Sequence, residues 1–263
     1  MAGADPDEWV LVNVSPDILA QLKAAPELQL ARGVRDTAIR SIVLVDGQID
    51  HTTGLFMLRE ATRPWPVWCT DSVHRDLTES NPIFRVLTYY CGIERHTIEL
   101  EGHAFAPVGA RGVSWRAIPL ESKPAPFSPH RDSPVLGDNI GLFLEDTTTQ
   151  RSVFYAPGLA AINEKVWEHL RAADCVLVDG TFWSDDEMRQ LGLSGKRARD
   201  MGHLPQSGPD GMIEWLDRLP SGTRKVLIHI NNSNPILDED SPQYRQLRER
   251  GIEVALDGME VVL

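Results

Sequence analysis

Three short apolar runs constrain this chain most, because each empties into groups that can titrate or bind a metal. Ile42-Val43-Leu44-Val45 is followed by Asp46-Gly47-Gln48-Ile49-Asp50-His51, Cys175 to Val178 ends on Asp179, and Lys225 to Ile228 ends on His229. Runs of this length and β-branched content read as buried strands. In open α/β sheets, sites gather at the carboxyl ends of such strands. One such ending could arise by chance; three point to one shared site. The stretch Ser41 to Glu60 is the densest of the three. Its Asp50-His51 pair is expected in a loop ahead of a helix that begins near Leu55, Met57 and Leu58. The simpler role for such a pair is to cap that helix.

The chain has 263 residues, 42% of them hydrophobic, enough for one sizeable core in a single α/β domain spanning 1–263. A net charge of −12 disfavours a nucleic-acid partner, and Lys196-Arg197-Ala198-Arg199 is too short a basic run to offset it. No apolar stretch reaches the roughly 18 residues that a membrane span needs. The opening MAGADPDEW has neither the basic nor the apolar segment of a signal peptide. Cys69, Cys91 and Cys175 form no CxxC, and Cys175 reads as a buried thiol, so a reduced cytoplasm is the expected compartment. A homodimer is compatible with these features.

Taken in order, Trp9 to Val14 reads as a strand and Ile18, Leu19 and Leu22 as the inner face of a helix capped from Ser15-Pro16-Asp17. Val67 to Thr70 is a strand, with Asp71-Ser72 capping the next helix. Asn81 to Leu100 is ambiguous between helix and strand. Ser114 to Leu120 is a strand, and the proline-rich Ser122 to His130 is a loop suited to a site. Asn139 to Glu145 and Ser152 to Ala156 form a hairpin about a polar turn, and Asn163 to Ala172 is a helix. Helices over 211–216 and 243–250 and short strands over 254–256 and 261–263 complete the chain.

Several of these segments carry a resemblance. D-x-Q-I-D-H at 46–51 resembles the metallo-β-lactamase motif H-x-H-x-D-H with both leading histidines replaced. VDGTF (178–182), MGHL (201–204) and LIHINN (227–232) resemble the H-E-A-T-F, G-H-S-T and closing T-H elements of its ribonuclease Z branch. SPDI (15–18), QIDHTTGL (48–55), GDNIGL (137–142), FYAPGL (154–159), LVDGTFW (177–183) and VLIHINNSNPILDE (226–239) together resemble the pyrroloquinoline quinone (PQQ) biosynthesis protein B family over nearly the whole chain. The resemblance implies an αββα metallo-β-lactamase-like sandwich and a role in maturing the redox cofactor from a peptide precursor. Members of that family usually begin with a glycine-rich strand and a cysteine cluster. This chain starts after both, so one sheet edge is expected to lack its strand.

Mapped onto the binuclear hydrolases of this fold, the first ligand set becomes Asp46, Gln48, His130 and Gly158, and the second keeps Asp50, His51 and His229. Gln is a poor transition-metal ligand and Gly is none. Two imidazoles and one carboxylate form the set associated with non-haem Fe(II) oxygenases, and Zn(II) fits the same donors. The resemblance thus implies one Fe(II), O2 and a tyrosine-containing, peptide-derived precursor as partners, with an oxygenase favoured. Asp179 and His203 align with a carboxylate–histidine pair that moves protons, the alternative being an ordinary ion pair. Asp46, Gln48, His130, Asn231, Asn232 and Asp238 are expected to contact substrate or support the ligands. The rivals are a carrier that assists transport of PQQ or its precursor to the periplasm, and a zinc hydrolase whose first site is rebuilt from Asp46 and His130.

Overall fold

The computed structural model describes residues 1–100 and 102–262. They group into two compact units, the first made of Met1–Pro119, Pro124–Ile140 and Asp146–Thr149, the second of Leu120–Lys123, Gly141–Glu145 and Gln150–Leu263.

In the first unit, β1 (Trp9–Val12) leads through α1 (Ile18–Ala24) to β2 (Ile39–Val43), then α2 (Ile49–Thr52) and β3 (Trp65–Cys69). Next come α3 (Asp71–Arg75), α4 (Ile83–Leu87), β4 (Ile93–Thr97) and the antiparallel pair β5 (Ala104–Phe105) and β6 (Val113–Pro119). β1 to β4 lie side by side in sequence order, and each neighbouring pair is parallel. A parallel sheet is covered on both faces, which is why the end of β2 and the residues after it, Ile42 to Val45, read as an apolar run. Ile39, Ile42 and Leu44 are buried in one core with Leu55, Leu58, Val67, Leu77 and Leu87. Burial of a leucine of this kind stabilises by roughly 1.5–3 kcal/mol, so Leu55 and Leu58 pin the chain that follows α2.

The second unit holds β7 (Ile140–Asp146, of which 141–145 belong here), β8 (Ser152–Ala156), α5 (Glu164–Ala172) and β9 (Cys175–Asp179). It continues with α6 (Glu187–Gln190), α7 (Ala198–Met201), α8 (Met212–Asp217), β10 (Arg224–Ile228), α9 (Pro242–Glu249) and β11 (Ile252–Val254). Strand order is β11-β10-β9-β8-β7, parallel throughout except for the β7–β8 hairpin that the sequence predicts. The register sets Ile228 of β10 opposite Asp179 of β9. Both strands therefore deliver their polar endings, Asp179 and His229, to the same edge. Gly180 makes that close approach feasible, since a Cβ there would meet the Ile228 carbonyl oxygen at 2.9 Å.

The structure corrects several boundaries. Asp50 and His51 lie on α2 itself, with Gln48 as N-cap and no side-chain cap, rather than in a loop before a helix at Leu55. Residues 53–58 continue as a 3-10 turn. Thr70, not Asp71 or Ser72, caps α3 by accepting from the Val73 N–H, and a π turn over Asp76–Ser80 extends that helix. No side chain caps α1. The ambiguous 81–100 stretch contains both a helix and a strand. The final strand lies over Ile252–Val254, ahead of the predicted one; residues 261 and 262 are not strand, and Leu263 lies outside the described residues. Cys175 is buried, which pushes its thiol up to about 11. Among the described residues, no helix is long and apolar enough to cross a membrane.

Candidate functional site

Polar clusters stand at the carboxyl ends of parallel strands in each unit. In the first, Asp46 follows β2 and is only 3% exposed. His51 Nδ1 donates to its carboxylate at 2.8 and 2.9 Å, and the Gln48 N–H donates to Oδ1 at 2.9 Å. Holding Nδ1–H in this way fixes the tautomer and turns the Nε2 lone pair outward. Asp50 Oδ2 lies 3.9 Å from that Nε2, on a side chain that is 60% exposed. Backbone bonds hold the turn in place. The Val14 N–H donates to the His51 carbonyl at 2.7 Å, and Thr52 Oγ1 donates to the Gln48 carbonyl at 2.8 Å. Gln48 contributes its main-chain N–H and carbonyl to this turn.

His130 sits in a separate polar group of the same unit. Its Nδ1 lies 3.3 Å from Asp138 Oδ1 and 3.4 Å from Ser72 Oγ, while Ser72 donates to Asp138. The Val135 N–H donates to the other Asp138 oxygen at 2.7 Å. Asp76 shares the field of Asp138 and His130; burial pushes its carboxyl above the ordinary range, opposed by a bond from Ser128.

In the second unit, Asp179 is 0% exposed and accepts four hydrogen bonds. The Leu159 N–H (2.9 Å) and His203 Nδ1 (2.7 Å) donate to Oδ2, and the Thr181 N–H (3.0 Å) and Oγ1 (2.6 Å) donate to Oδ1. These fill its lone pairs. Burial pushes the carboxyl up, but His203, His229 and Thr181 outweigh it and hold it below the ordinary range. His203 and His229 stack with centroids 5.4 Å apart and planes inclined by 20°. The ligand-type atoms of Asp179, His203 and His229 lie within 4.8 Å of one another. With four donors already on Asp179, this group suits orientation of imidazoles better than metal ligation.

The loops around Asp179 and His229 are cross-linked. Asn234 Nδ2 donates to the Gly180 carbonyl at 2.9 Å, Gln206 Nε2 donates to the same oxygen at 2.5 Å, and the Asn231 N–H donates to the Thr181 carbonyl at 3.2 Å. Buried Glu187 accepts from the Trp183 N–H at 2.6 Å and from Ser233 Oγ at 2.5 Å. His229 adopts φ of +57° within this frame. A left-handed conformation is uncommon for a non-glycine residue and persists where its surroundings over-determine it. The Asn231 side chain turns to Ser233, Asn232 is exposed, and exposed Asp238 accepts from the Asp240 N–H. Sequence reasoning missed Thr181, Asn234 and Glu187. Thr181 lies inside the VDGTF segment and Asn234 in an Asn-Pro step that signals a turn, whereas nothing local marks Glu187.

The Beta-lactamase superfamily domain matches residues 8–230. Coenzyme PQQ synthesis protein B of Azoarcus sp. (strain BH72) is 61% identical over 259 residues, covering 98% of this chain and 85% of that protein. Its counterpart in Methylococcus capsulatus is 57% identical over 260 residues, covering 99% and 85%. The crystal structure of Zn(2+)-bound PqqB from Methylobacterium extorquens superposes with a TM-score of 0.89 at 30% identity, over 100% of this chain and 86% of that one. A diphosphatase of the PhnP family, at 16% identity, TM-score 0.63 and coverage of 97% and 80%, shares the fold alone. The fold is the metallo-β-lactamase-like α/β class that the sequence motifs imply, and this chain belongs to the coenzyme PQQ synthesis protein B family of the β-lactamase superfamily.

Proposed function

We propose that the chain acts in coenzyme PQQ synthesis as a metal-dependent oxygenase, hydroxylating a tyrosine-containing, peptide-derived precursor, with Asp50, His51 and His229 as ligands of one ion. One observation carries this reading over the binuclear hydrolase. Asp46, which stands where that fold's first ligand histidine would be, turns both carboxylate oxygens to His51 Nδ1 and takes the Gln48 N–H on Oδ1. It therefore orients a ligand of the retained set instead of founding a second one. His130, the other residue needed to rebuild the first set, is engaged with Asp138 and Ser72. The family name of the relatives supports the pathway, and the zinc in the Methylobacterium relative supports a resident cation.

The donors fit such an ion. His51 is held in the tautomer that leaves Nε2 as the lone-pair nitrogen, backed by a carboxylate in the manner of metal-binding histidines. When bound, Fe(II) supplies the redox chemistry with O2, whereas Zn(II) in the same donors supplies only Lewis acidity. The other residues handle protons. Asp179 holds Nδ1–H of half-buried His203, and His203 Nε2 takes the phenolic proton of the precursor. Overall, one oxygen atom of O2 enters a ring C–H bond; the other leaves as water, with two electrons and two protons from an added reductant.

The test is metal analysis of anaerobically purified protein, then O2 uptake with Fe(II), a reductant such as ascorbate and a tyrosine-containing dipeptide. About one iron per chain with dipeptide-dependent uptake is the expected result. Tightly held zinc with no uptake, together with phosphodiester hydrolysis, would reverse the assignment. Quinone binding that survives Asp50→Ala in a protein without uptake would establish the carrier.

A further inference from the structure

Thr181 Oγ1 has four polar neighbours: Asp179 Oδ1 at 2.6 Å, His229 Nδ1 at 2.7 Å, the His229 carbonyl at 2.9 Å and His203 Nδ1 at 3.1 Å. A hydroxyl has one hydrogen to give and two lone pairs to receive with. Of the two acceptor oxygens, the Asp179 carboxylate is both the nearer and the charged one, so it takes the hydrogen. His229 Nδ1 must then be the donor, because two lone pairs facing each other at 2.7 Å would repel. A neutral His229 consequently carries its proton on Nδ1 and its lone pair on Nε2. The same accounting at His203 gives Nδ1–H to Asp179 Oδ2 at 2.7 Å, leaning toward Thr181. One hydroxyl thus connects a fully buried carboxylate to two stacked imidazoles. Nothing outside these three side chains is needed to set the direction of the chain His229 Nδ1–H to Thr181 to Asp179.

We propose that Thr181 is a positioning residue that fixes the tautomer of His229, so that this ring offers Nε2. Its consequence for an ion rests on the reading of His229 as a ligand; the tautomer itself does not. Asn234 and the Asn231 N–H hold the Thr181 carbonyl at 3.3 and 3.2 Å. The hydroxyl is therefore pre-placed, and the His229 backbone at φ +57° brings the ring to it.

The test uses the full chain, metal-free, with 15N-labelled histidine, at about pH 9, above the ordinary histidine range. Long-range 1H–15N correlation assigns the protonated nitrogen of each ring. In the wild type, His229 and His203 should both carry the proton on Nδ1. Thr181→Ser should keep that pattern, whereas Thr181→Val should lose it at His229 and retain it at His203, where Asp179 still accepts. Competition with a chelator should show Zn(II) binding weakened about 10–100-fold in Thr181→Val and within about threefold of wild type in Thr181→Ser, the size of effect that ligand-orienting partners have. A wild-type His229 protonated on Nε2 overturns the proposal, as does a folded Thr181→Val with an unchanged His229 tautomer. If Thr181→Val fails to fold by circular dichroism, Thr181→Ala takes its place and the wild-type spectrum still decides. Tautomers as stated in a protein that takes up no O2 would sink the oxygenase reading and leave the role of Thr181 standing.

Discussion

A carboxylate removed from water survives as an anion only when other donors replace the water, and Asp179 has four of them. Its depressed titration means that the folded chain binds its proton less readily than the unfolded one. The stability it contributes is present above the ordinary carboxylate range and is lost as pH falls through the folded value. Asp76 runs the other way. Its carboxyl is pushed up by burial, with Asp138 adding to the shift, so the folded chain holds its proton more readily and ionisation costs stability as pH rises. Asp76→Asn should therefore raise Tm relative to wild type at pH 8 by more than at pH 4.5, as read by thermal scans at the two pH values. An equal change at both would reject the buried-charge argument. At His203, replacement by alanine should leave about one iron per chain while turnover falls by roughly 10²–10⁴, the range for a lost general base. Metal lost in His203→Ala would make that residue a ligand instead.

Among the elements, α2 shows how packing overrides local signals. The sequence marks 46–51 as a polar stretch and Leu55 as a helix start. The chain instead turns helical at Ile49, because the following segment must seat Leu55 and Leu58 in the core. Gly54 allows that seating: a Cβ there would meet the Ser15 carbonyl oxygen at 2.1 Å and Val14 Cγ1 at 2.7 Å. Gly54→Ala should cost roughly 1–3 kcal/mol, an overpacking penalty, measured by urea unfolding. It should also weaken Zn(II) binding by displacing the helix that carries Asp50 and His51. At the other cluster, Glu187 joins the loop after β9 to the loop after β10 through Trp183 and Ser233. Glu187→Ala leaves two half-buried donors without this acceptor and should cost about 1–3 kcal/mol in the same assay. A loss under about 0.5 kcal/mol would show that the clamp carries little of the loop geometry.

For the molecule as a whole, an ion held by the folded chain and not by the unfolded one raises stability by mass action. At a free concentration of 100 times Kd the gain is about 2.7 kcal/mol, or a Tm rise of roughly 5–10 °C. Chelation followed by Zn(II) addition should reproduce that rise in wild type and abolish it in Asp50→Ala; a flat response in wild type would exclude a resident ion. β9 and the later parts of β2 and β10 are evident as apolar runs, since strands covered on both faces leave such stretches in the sequence. The polar residues that follow these runs are the candidate site residues, and the motifs around them carry the family resemblance. The chain by itself also settled its charge and the chemistry of the available ligands. It could not state that Asp179 receives four donors, that Thr181 stands between two imidazoles 22 and 48 residues away, or that Glu187 clamps a loop 46 residues on. Such contacts join positions far apart in sequence, and hydrogen-bond direction depends on ångström-scale placement that no local pattern encodes. Only the register of β9 against β10, with the left-handed turn at His229, decided which side chains meet.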